Sequence, residues 1–599
     1  PVPTTPAQGL TTTYAYDDDL TDATGLNITY QAQLTELENR GITFGPGSTG
    51  SAVEITNPAG EKTVQIQDAI GRTVMTINPE GHITTMHYSG GVVSPPSLPH
   101  LSSIPLPGDL LTTTDALGNS TTTYTDAAGR TLLTEDALGN FAGAAYDANS
   151  NRILTRDPNG LGQDCTFDHL NREITCADLQ EIAQNTSRGR NYNAHGAVIL
   201  TTDAEGETTE NTYDVRDRLA SSKDANNLVT GYEYDENNNL TSLTDPKNAT
   251  RSWTYDARNL KVSKSMPDAN DTIAYQYDAL RRIKVETRQD NSTVTLTYDL
   301  AGRMTARAYS DSTTDTFDYD DASRLTSAFK DRHDITTTRT YAADGMMLTE
   351  TQTLDGRTYT LARTYDDRNL VATQTFADGK VMTWDHDDRG LVTEAHYDGK
   401  LVLTQLHDDA YRLTQQTFGN GLVRTITYDR LDNLRTHDKV KEVNAVNYVK
   451  ELTFHYTYSE DKQVLTETQT GGTFQNLSFT ATYDPGNRVA TYNRQGAYIG
   501  ARLSQSWDYD GAGNWDSTTI DGNTQNRTHS DSDQLEAIAG NNLTYDPRGN
   551  QLTDNRGNQY TWDLDNRIVE ADGTGYSDIE YRYDALGRRI VRKQGTSKE

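Results

Sequence analysis

Residues 232–260 read YEYDENNNLTSLTDPKNATRSWTYDARNL, and the stretch states one pattern twice. Tyr234-Asp235 and Tyr255-Asp256 each end an alternating segment and open a polar one. In TRSWTYD, Arg251, Trp253 and Tyr255 alternate with Thr250, Ser252 and Thr254, the period of a strand with two unlike faces. Asp256 then starts a turn in which its carboxylate accepts backbone N–H groups. The fourth or fifth position of these turns is often Gly or Asn, as at Gly302 in YDLAGR and Asn238 in YDENNN, residues that tolerate positive φ. A second strand, such as LTSLT, follows and ends in a second turn, Asp245-Pro246-Lys247-Asn248 here and Asp136-Ala137-Leu138-Gly139 elsewhere. Two strands and two turns fit in one such unit.

The unit recurs along the chain. Its marker residue, just ahead of the first turn, is Tyr213, Tyr234, Tyr255, Tyr277, Tyr298 and Tyr319 in the clearest run, and Tyr583 near the end. Between and around them the marker is Thr125, Tyr146, Phe167, Tyr192, Tyr341, Tyr365, His386, His407, Tyr428, Tyr458, Tyr483, Tyr509, Tyr545 and Leu564. The commonest spacing is 21 residues; the wide steps from Tyr428 to Tyr458 and from Tyr509 to Tyr545 read as insertions. The pattern predicts an all-β fold: tandem hairpin repeats of about 21 residues in one continuous antiparallel sheet. The best helical candidate is ADLQEIAQN, 177–185, a short insertion.

Residues 1–110 carry the repeat weakly, with units at Tyr16-Asp17 and QDAIGRTV (67–74), and residues 111–599 carry it throughout. Between them, 90–111 holds Pro95, Pro96, Pro99, Pro105 and Pro107, which a sheet interior does not accept. This segment reads as a linker or, better, as a plug over one end of the sheet, whose open edge needs cover. The insertion at 435–452 is the most basic patch and reads as a protruding hairpin.

With 86 acidic against 54 basic side chains, the net charge is −32. That disfavours nucleic acid, anionic membrane surfaces and polyanionic glycans as partners. No apolar run reaches the length of a membrane span. The chain opens on PVPTTPAQG, which reads as a trimmed product. Its two cysteines, Cys165 and Cys176 in CTFDHLNREITC, fall nearly opposite each other if the turn lies at 168–172. A cross-strand disulfide implies an oxidising compartment; the alternative is two small buried thiols.

The run of Tyr-Asp hairpins, with YDLAGRM (298–304), YDPGNRV (483–489) and YRYDALGRRI (581–590), resembles the YD/RHS repeat family of bacterial Rhs effectors, toxin-complex cocoon subunits and teneurin YD shells. The resemblance spans about 110–599. It implies a sheet coiled into a hollow shell or barrel with a largely polar interior, secreted or at the cell surface, enclosing a polypeptide cargo. Rhs cores usually run on into an autoproteolytic Asp-Pro-x-Gly-Leu motif and a toxic tip. The last repeat here leads into VRKQGTSKE, and no self-cleavage residue or toxin is carried over.

Chemistry-bearing residues concentrate in 384–413. His386 and His407 replace the marker aromatic on consecutive hairpins, and His396, Tyr397 and Arg389 lie close in sequence. A His/Tyr pair with an Arg could act as base, acid and charge neutraliser in β-elimination of an acidic polysaccharide. The plainer reading is His standing in for Tyr in an aromatic row. No zinc-type spacing is present. Acidic runs such as YDDDLTDATG (16–25) invite calcium but do not match an EF-hand. No other cofactor is indicated. Three functions follow: a structural shell, with no enzymatic activity, around a cargo polypeptide; a surface module binding glycans or proteins through its aromatic rows; and a polysaccharide lyase or hydrolase near 384–413. The first is expected.

Overall fold

The computed structural model describes residues 13–17, 51–68, 70–90, 109–268, 272–431, 434–443, 449–471, 477–496, 503–573, 576–595 and 597–598. The proline-rich stretch 91–108 and most of the acidic run 16–25 lie outside them. The repeat unit takes the form read from its sequence. Thr250–Tyr255 pairs antiparallel with Lys261–Ser265, with Trp253 opposite Lys264 and Tyr255 opposite Lys261. Between them Asp256 Oδ1 accepts the N–H groups of Arg258 (2.9 Å) and Leu260 (3.0 Å), and Asn259 takes the left-handed conformation at φ 62°. In the unit at Asp299 the same position is Gly302, at φ 86°. Every unit in the central run shifts register by one residue just before its marker, a bulge that adds twist at the turn.

Most hairpins with a Tyr marker are fastened to the one before by that side chain. The Tyr255 hydroxyl donates to the Leu240 carbonyl at 2.9 Å, 15 residues back, on the far side of the previous turn. Tyr213, Tyr277, Tyr298, Tyr319 and Tyr583 make the equivalent bond, at 2.7 to 3.0 Å. Where the turn ends in Arg, that guanidinium binds its own Asp and reaches forward. Arg218 Nη1 donates to the Asp235 carbonyl at 2.7 Å, and the guanidinium lies 4.7 Å from the centroid of the Tyr234 ring. Where the turn ends in Asn, as at Asn239, the amide holds Asp235 and bridges to Asn259 instead. On the opposite face the residue before the marker forms a cross-strand hydroxyl pair, such as Thr212–Ser221 at 2.6 Å and Thr364–Thr373 at 2.7 Å.

Strands pair in sequence order, so the sheet is a meander running from Thr13–Asp17 to Asn541–Asn542, with a second sheet of seven short strands continuing from Thr544–Tyr545. It crosses the expected boundary at 110 unbroken, Ile83–Gly90 pairing with Asp109–Thr114. Among the described residues no ladder joins the first strand to the last, so the sheet is an open ribbon and not a barrel closed by strand pairing. Each strand's extensive contacts are with its sequence neighbours, and buried apolar residues occur in small separate clusters. The wall is one layer thick.

Two local readings differ from the sequence analysis, and a third, the hairpin expected at 435–452, holds. The marker near the C-terminal end is Trp562, whose indole N–H donates to the Gln551 carbonyl at 2.7 Å; Leu564 lies inside the turn that follows. The wide step after Tyr509 is no insertion but a hidden repeat with His529 at the marker and a turn over Ser530–Asp533. The wide step after Tyr428 is a long hairpin, Arg435–Val443 against Val449–Tyr458. Among the described residues the one α-helix is Leu179–Gln184, opened by an Asp178–Glu181 capping box.

Replacing Tyr255 with Phe removes the bond to Leu240 and keeps the ring, which costs about 1 kcal/mol. Native-state hydrogen exchange of the amides in 250–265 should speed up about fivefold, with the far repeats unchanged. Unchanged exchange there would show that the marker hydroxyl does not fasten the hairpins.

Candidate functional site

The ribbon has two edges. One carries the Tyr-Asp turns and the other carries the return turns. Contacts at long sequence separation join the two edges to each other. The Glu61 carboxylate meets Arg324 at 2.9 Å, Glu80 accepts the Ala343 N–H at 2.7 Å, and the Tyr411 hydroxyl donates to Asp136 at 3.1 Å. Further along, the Asp461 carboxylate accepts the Ala204 N–H at 3.1 Å, Lys247 meets Asp533 at 2.9 Å, and Arg582 meets Asp355 at 3.0 Å. In each pair the lower-numbered residue is at or beside a return turn and the higher at or beside a Tyr-Asp turn. The separations are 227 for Asp355–Arg582, 263 for Glu80–Ala343 and 284 for Asp178–Lys462. At 21 residues a repeat, the middle value is about twelve hairpins per coil. The ribbon therefore winds through about two coils, and one seam of turn-to-turn contacts seals the first coil to the second.

The seam is tightest around Lys330, whose side chain is 2% exposed. Its ammonium donates to Asp315 (3.0 Å) and, across the seam, to Asp565 (2.8 Å). The Tyr309 hydroxyl donates to Asp565 at 2.6 Å, and Arg307 binds Asp315 at 2.7 Å and the Ala585 carbonyl at 3.2 Å. Burial works to raise the Asp565 carboxyl, but Lys330, Tyr309 and Arg307 outweigh it and hold it down at about 2. Burial and Asp565 push the Tyr309 hydroxyl well above its ordinary range. Two apolar clusters flank this network: Ala585 and Leu586 on Phe317 and Ala328, and Val591 on Ile335 and Leu354.

The residues singled out in 384–413 are divided by the sheet. His386 and His407 end their strands at the Tyr-Asp edge, opposite Val392 and Leu413. His396 pairs with Thr383, three residues before His386 on the same strand, and Tyr397 pairs with Met382. His396 shares a face with Asp385 and Glu394, which alternation places opposite the face of His386. Arg389 is 5% exposed and already committed: it binds Asp387, donates to the Asp408 carbonyl at 2.9 Å and lies 4.9 Å from the Tyr411 ring centroid. Burial, together with Arg389, holds His407 below the usual imidazole range against the pull of Asp387. The structure thus brings Arg389 to His407 and leaves His396 and Tyr397 apart from them. Tyr411, in the same stretch, is a seam contact.

Residues 213–250 and 234–271 match the RHS Repeat family model, and residues 491–599 match the Teneurin YD-shell model. The chain therefore carries RHS/YD repeats in these segments. Its fold is that of the shell in solved Tc toxin structures. It superposes on the TcdB2-TccC3-Cdc42 crystal structure with a TM-score of 0.75 at 15% identity, covering 90% of this chain and 37% of that one. For TcdB2-TccC3 without its hypervariable C-terminal region the TM-score is 0.73 at 15% identity, over 91% and 37%. For a Photorhabdus luminescens Tc holotoxin pore it is 0.62 at 15%, over 94% and 32%. The chain thus spans about a third of the length of these structures. Comparison with curated protein sequences gives no match.

Inside the RHS/YD ribbon one Asp-Pro-x-Gly-Leu stretch does occur, Asp157–Leu161, which the sequence reading passed over. It is a return turn: the Asp157 carboxylate accepts the N–H groups of Asn159 and Leu161 at 2.9 Å, and Gly160 has φ 83°. Cys165 and Cys176 stand directly opposite each other, 4.1 Å apart at Cα, and are disulfide-bonded. Besides the group that includes these cysteines, the potential ligand groups among the described residues are Asp385, Glu394 and His396, and Asp510, Asp516 and His529. In the latter, Lys247 already lies 3.4 Å from Asp510.

Two sets of carboxyl groups give the shell opposite responses to pH. Asp203, on a return turn, faces Asp461 across the seam; burial and Asp461 raise it to about 6. The neighbouring charges, Lys462 and Glu460, are taken by Asp178 and Thr186. Its folded value is raised, so its contribution is complete below 3.8 and lost as pH rises through about 6. The turn carboxylates Asp168 and Asp214 are held at about 2 by Arg172 and Arg218 and by backbone N–H groups, so theirs is present above 3.8 and lost toward pH 2. Asp203→Asn keeps the acceptor for Glu205 and Glu207 and should raise the unfolding midpoint at pH 7.5 while leaving that at pH 4.5 unchanged. Equal effects at both pH values would show that no proton is shared there. Lys330→Met, which leaves Asp315 and Asp565 without their ammonium, should cost about 3 kcal/mol in urea unfolding. A cost under about 1 kcal/mol would mean that the network does not hold the seam.

Proposed function

We propose that this chain is wall material of a secreted or cell-surface container that encloses a polypeptide. The observation that carries this reading is the seam. A one-layer ribbon gains nothing for binding or catalysis by sealing one coil to the next along its whole length, but a wall does, because the seal makes a continuous barrier. The likeness in fold to TcdB2-TccC3 structures supports the same reading, as do the high net negative charge, which favours solubility, and the disulfide, which suits an oxidising compartment. The match of 491–599 to the Teneurin YD-shell model favours a second reading, a surface module that binds proteins or glycans.

Protection from proteolysis separates the two. A flexible, protease-sensitive peptide joined after Glu599 should be cut far more slowly than the same peptide on an unrelated carrier. Lys330→Met combined with Lys247→Ala, which weakens the seam, should restore cleavage. Cleavage at the carrier rate, together with saturable binding of the intact shell to cell-surface glycans, would favour the second reading.

A further inference from the structure

Three lysines of the described residues meet a carboxylate across the seam, and one of them differs from the other two in its surroundings. Lys247 lies 2.9 Å from Asp533 and 3.4 Å from Asp510, but all three side chains keep some contact with solvent. Lys462, which meets Asp178, is 36% exposed. Lys330 is 2% exposed, and Asp315 beside it is fully buried. The Tyr309 ring centroid lies 5.0 Å from the Lys330 nitrogen, and the Lys330 backbone pairs with that of Ile335, which is also fully buried. Water is kept from this contact and not from the other two.

The polar atoms around Lys330 are arranged as more than an ion pair. Its Nζ donates to Asp565 Oδ2 at 2.8 Å, across the seam, and to Asp315 Oδ2 at 3.0 Å, on the adjacent strand. Asp315 Oδ1 is buried with no hydrogen-bond partner, so it is an open place for a proton. The Tyr309 hydroxyl donates to the other oxygen of Asp565, Oδ1, at 2.6 Å. Arg567 also binds Asp565, but has a second carboxylate, Asp563, at 3.1 Å. Arg307 likewise has Asp315 at 2.7 Å. If Lys330 and Asp565 both lost their charge, Arg307–Asp315 and Arg567–Asp563 would remain as matched pairs. An uncharged link in place of a buried ion pair is neutral or stabilising when no partner is left alone.

We propose that Lys330 and Asp565 are a self-modification site and condense to an isopeptide bond, a covalent weld between the two coils, with Asp315 as the base. Asp315 takes one proton from the Lys330 ammonium and frees the lone pair of the amine. The nitrogen attacks Cγ of Asp565, while the Tyr309 hydroxyl steadies the negative charge that grows on Oδ1. Oδ2 then leaves as water, taking one proton back from Asp315 and one from the nitrogen. The three ammonium protons end as one amide N–H and two on water; one C–N bond forms and one C–O bond breaks. Asp315 ends as it began, and no outside reagent is needed. The Asp565 carboxylate is ionised beforehand, and the ammonium it faces supplies its protons. Folding brings together two groups 235 residues apart and so replaces the activation that free amines and acids need. Lys247 and Lys462, open to water, stay free amines.

Mass spectrometry of the denatured, intact protein tests this. The wild type should be lighter than its sequence by one water, and its protease digest should contain a branched peptide joining Lys330 to Asp565. Asp565→Ala and Asp315→Asn should keep the full mass of their sequences and give no branched peptide. Carbodiimide coupling of Lys247 to Asp533 in each variant reports that the seam has formed, so a missing weld is not mistaken for a failure to fold. A wild type of full mass in which Lys247 couples to Asp533 overturns the proposal and leaves the wall intact. Loss of water without the branched peptide overturns it too, since an aspartate can dehydrate onto its own backbone. A branched peptide formed as fully in Asp315→Asn as in the wild type overturns the role given to Asp315.

Discussion

In most repeats a single carboxylate holds the unit in shape. The Asp that follows the marker accepts two backbone N–H groups of its own turn, and so fixes where the chain reverses and which residue must take the left-handed conformation. With the reversal fixed, the marker side chain can point back at only one place, the carbonyl beyond the previous turn. That bond sets each hairpin against its predecessor with the same offset. The bulge before the marker adds the same twist each time. A constant offset and a constant twist, compounded over many hairpins, give a coil. Curvature of the wall is thus a property of the turn.

Such a wall cannot be held together as a globular domain is. It has one layer, and its buried apolar residues fall in separate clusters with no continuous core. Stability comes instead from ladders of backbone bonds, cross-strand hydroxyl pairs and the guanidinium–tyrosine contacts, each worth less than about 1 kcal/mol but repeated. The low hydrophobic content, which in a globular chain would point to disorder, is what a sheet wet on both faces requires. Buried charge gathers where coil meets coil, around Lys330, beside the apolar cluster of Phe317 and Ala585.

The repeat, its strands, its turn residues and the short helix were legible because they depend on residues within about 21 positions of one another. Trp562 and His529 were not legible as markers because neither belongs to a Tyr-Asp pair, yet a Trp or His ahead of Asp563 or Ser530 opens the same turn. The seam was not legible. Its partners lie 227 to 286 residues apart, and that interval is set by accumulated curvature, not by any motif. For the same reason Arg389 read as a candidate for chemistry. Nothing local reveals that the turn carrying Tyr411 abuts Asp136, or that Arg389 is spent on its own turn and the next. The proximity in sequence of His396 to His386 misled in a further way, since strand alternation sends them to opposite faces.

The central claim is that one edge of the ribbon seals against the other. Zero-length carbodiimide coupling, which joins lysine amines only to carboxylates in contact, measures it directly in the intact monomer. The account predicts cross-linked peptides joining Lys247 to Asp533 or Asp510, and Lys462 to Asp178. Cross-links confined to neighbouring hairpins, with none of these long-range pairs, would mean that the ribbon does not coil onto itself and that there is no wall to enclose anything.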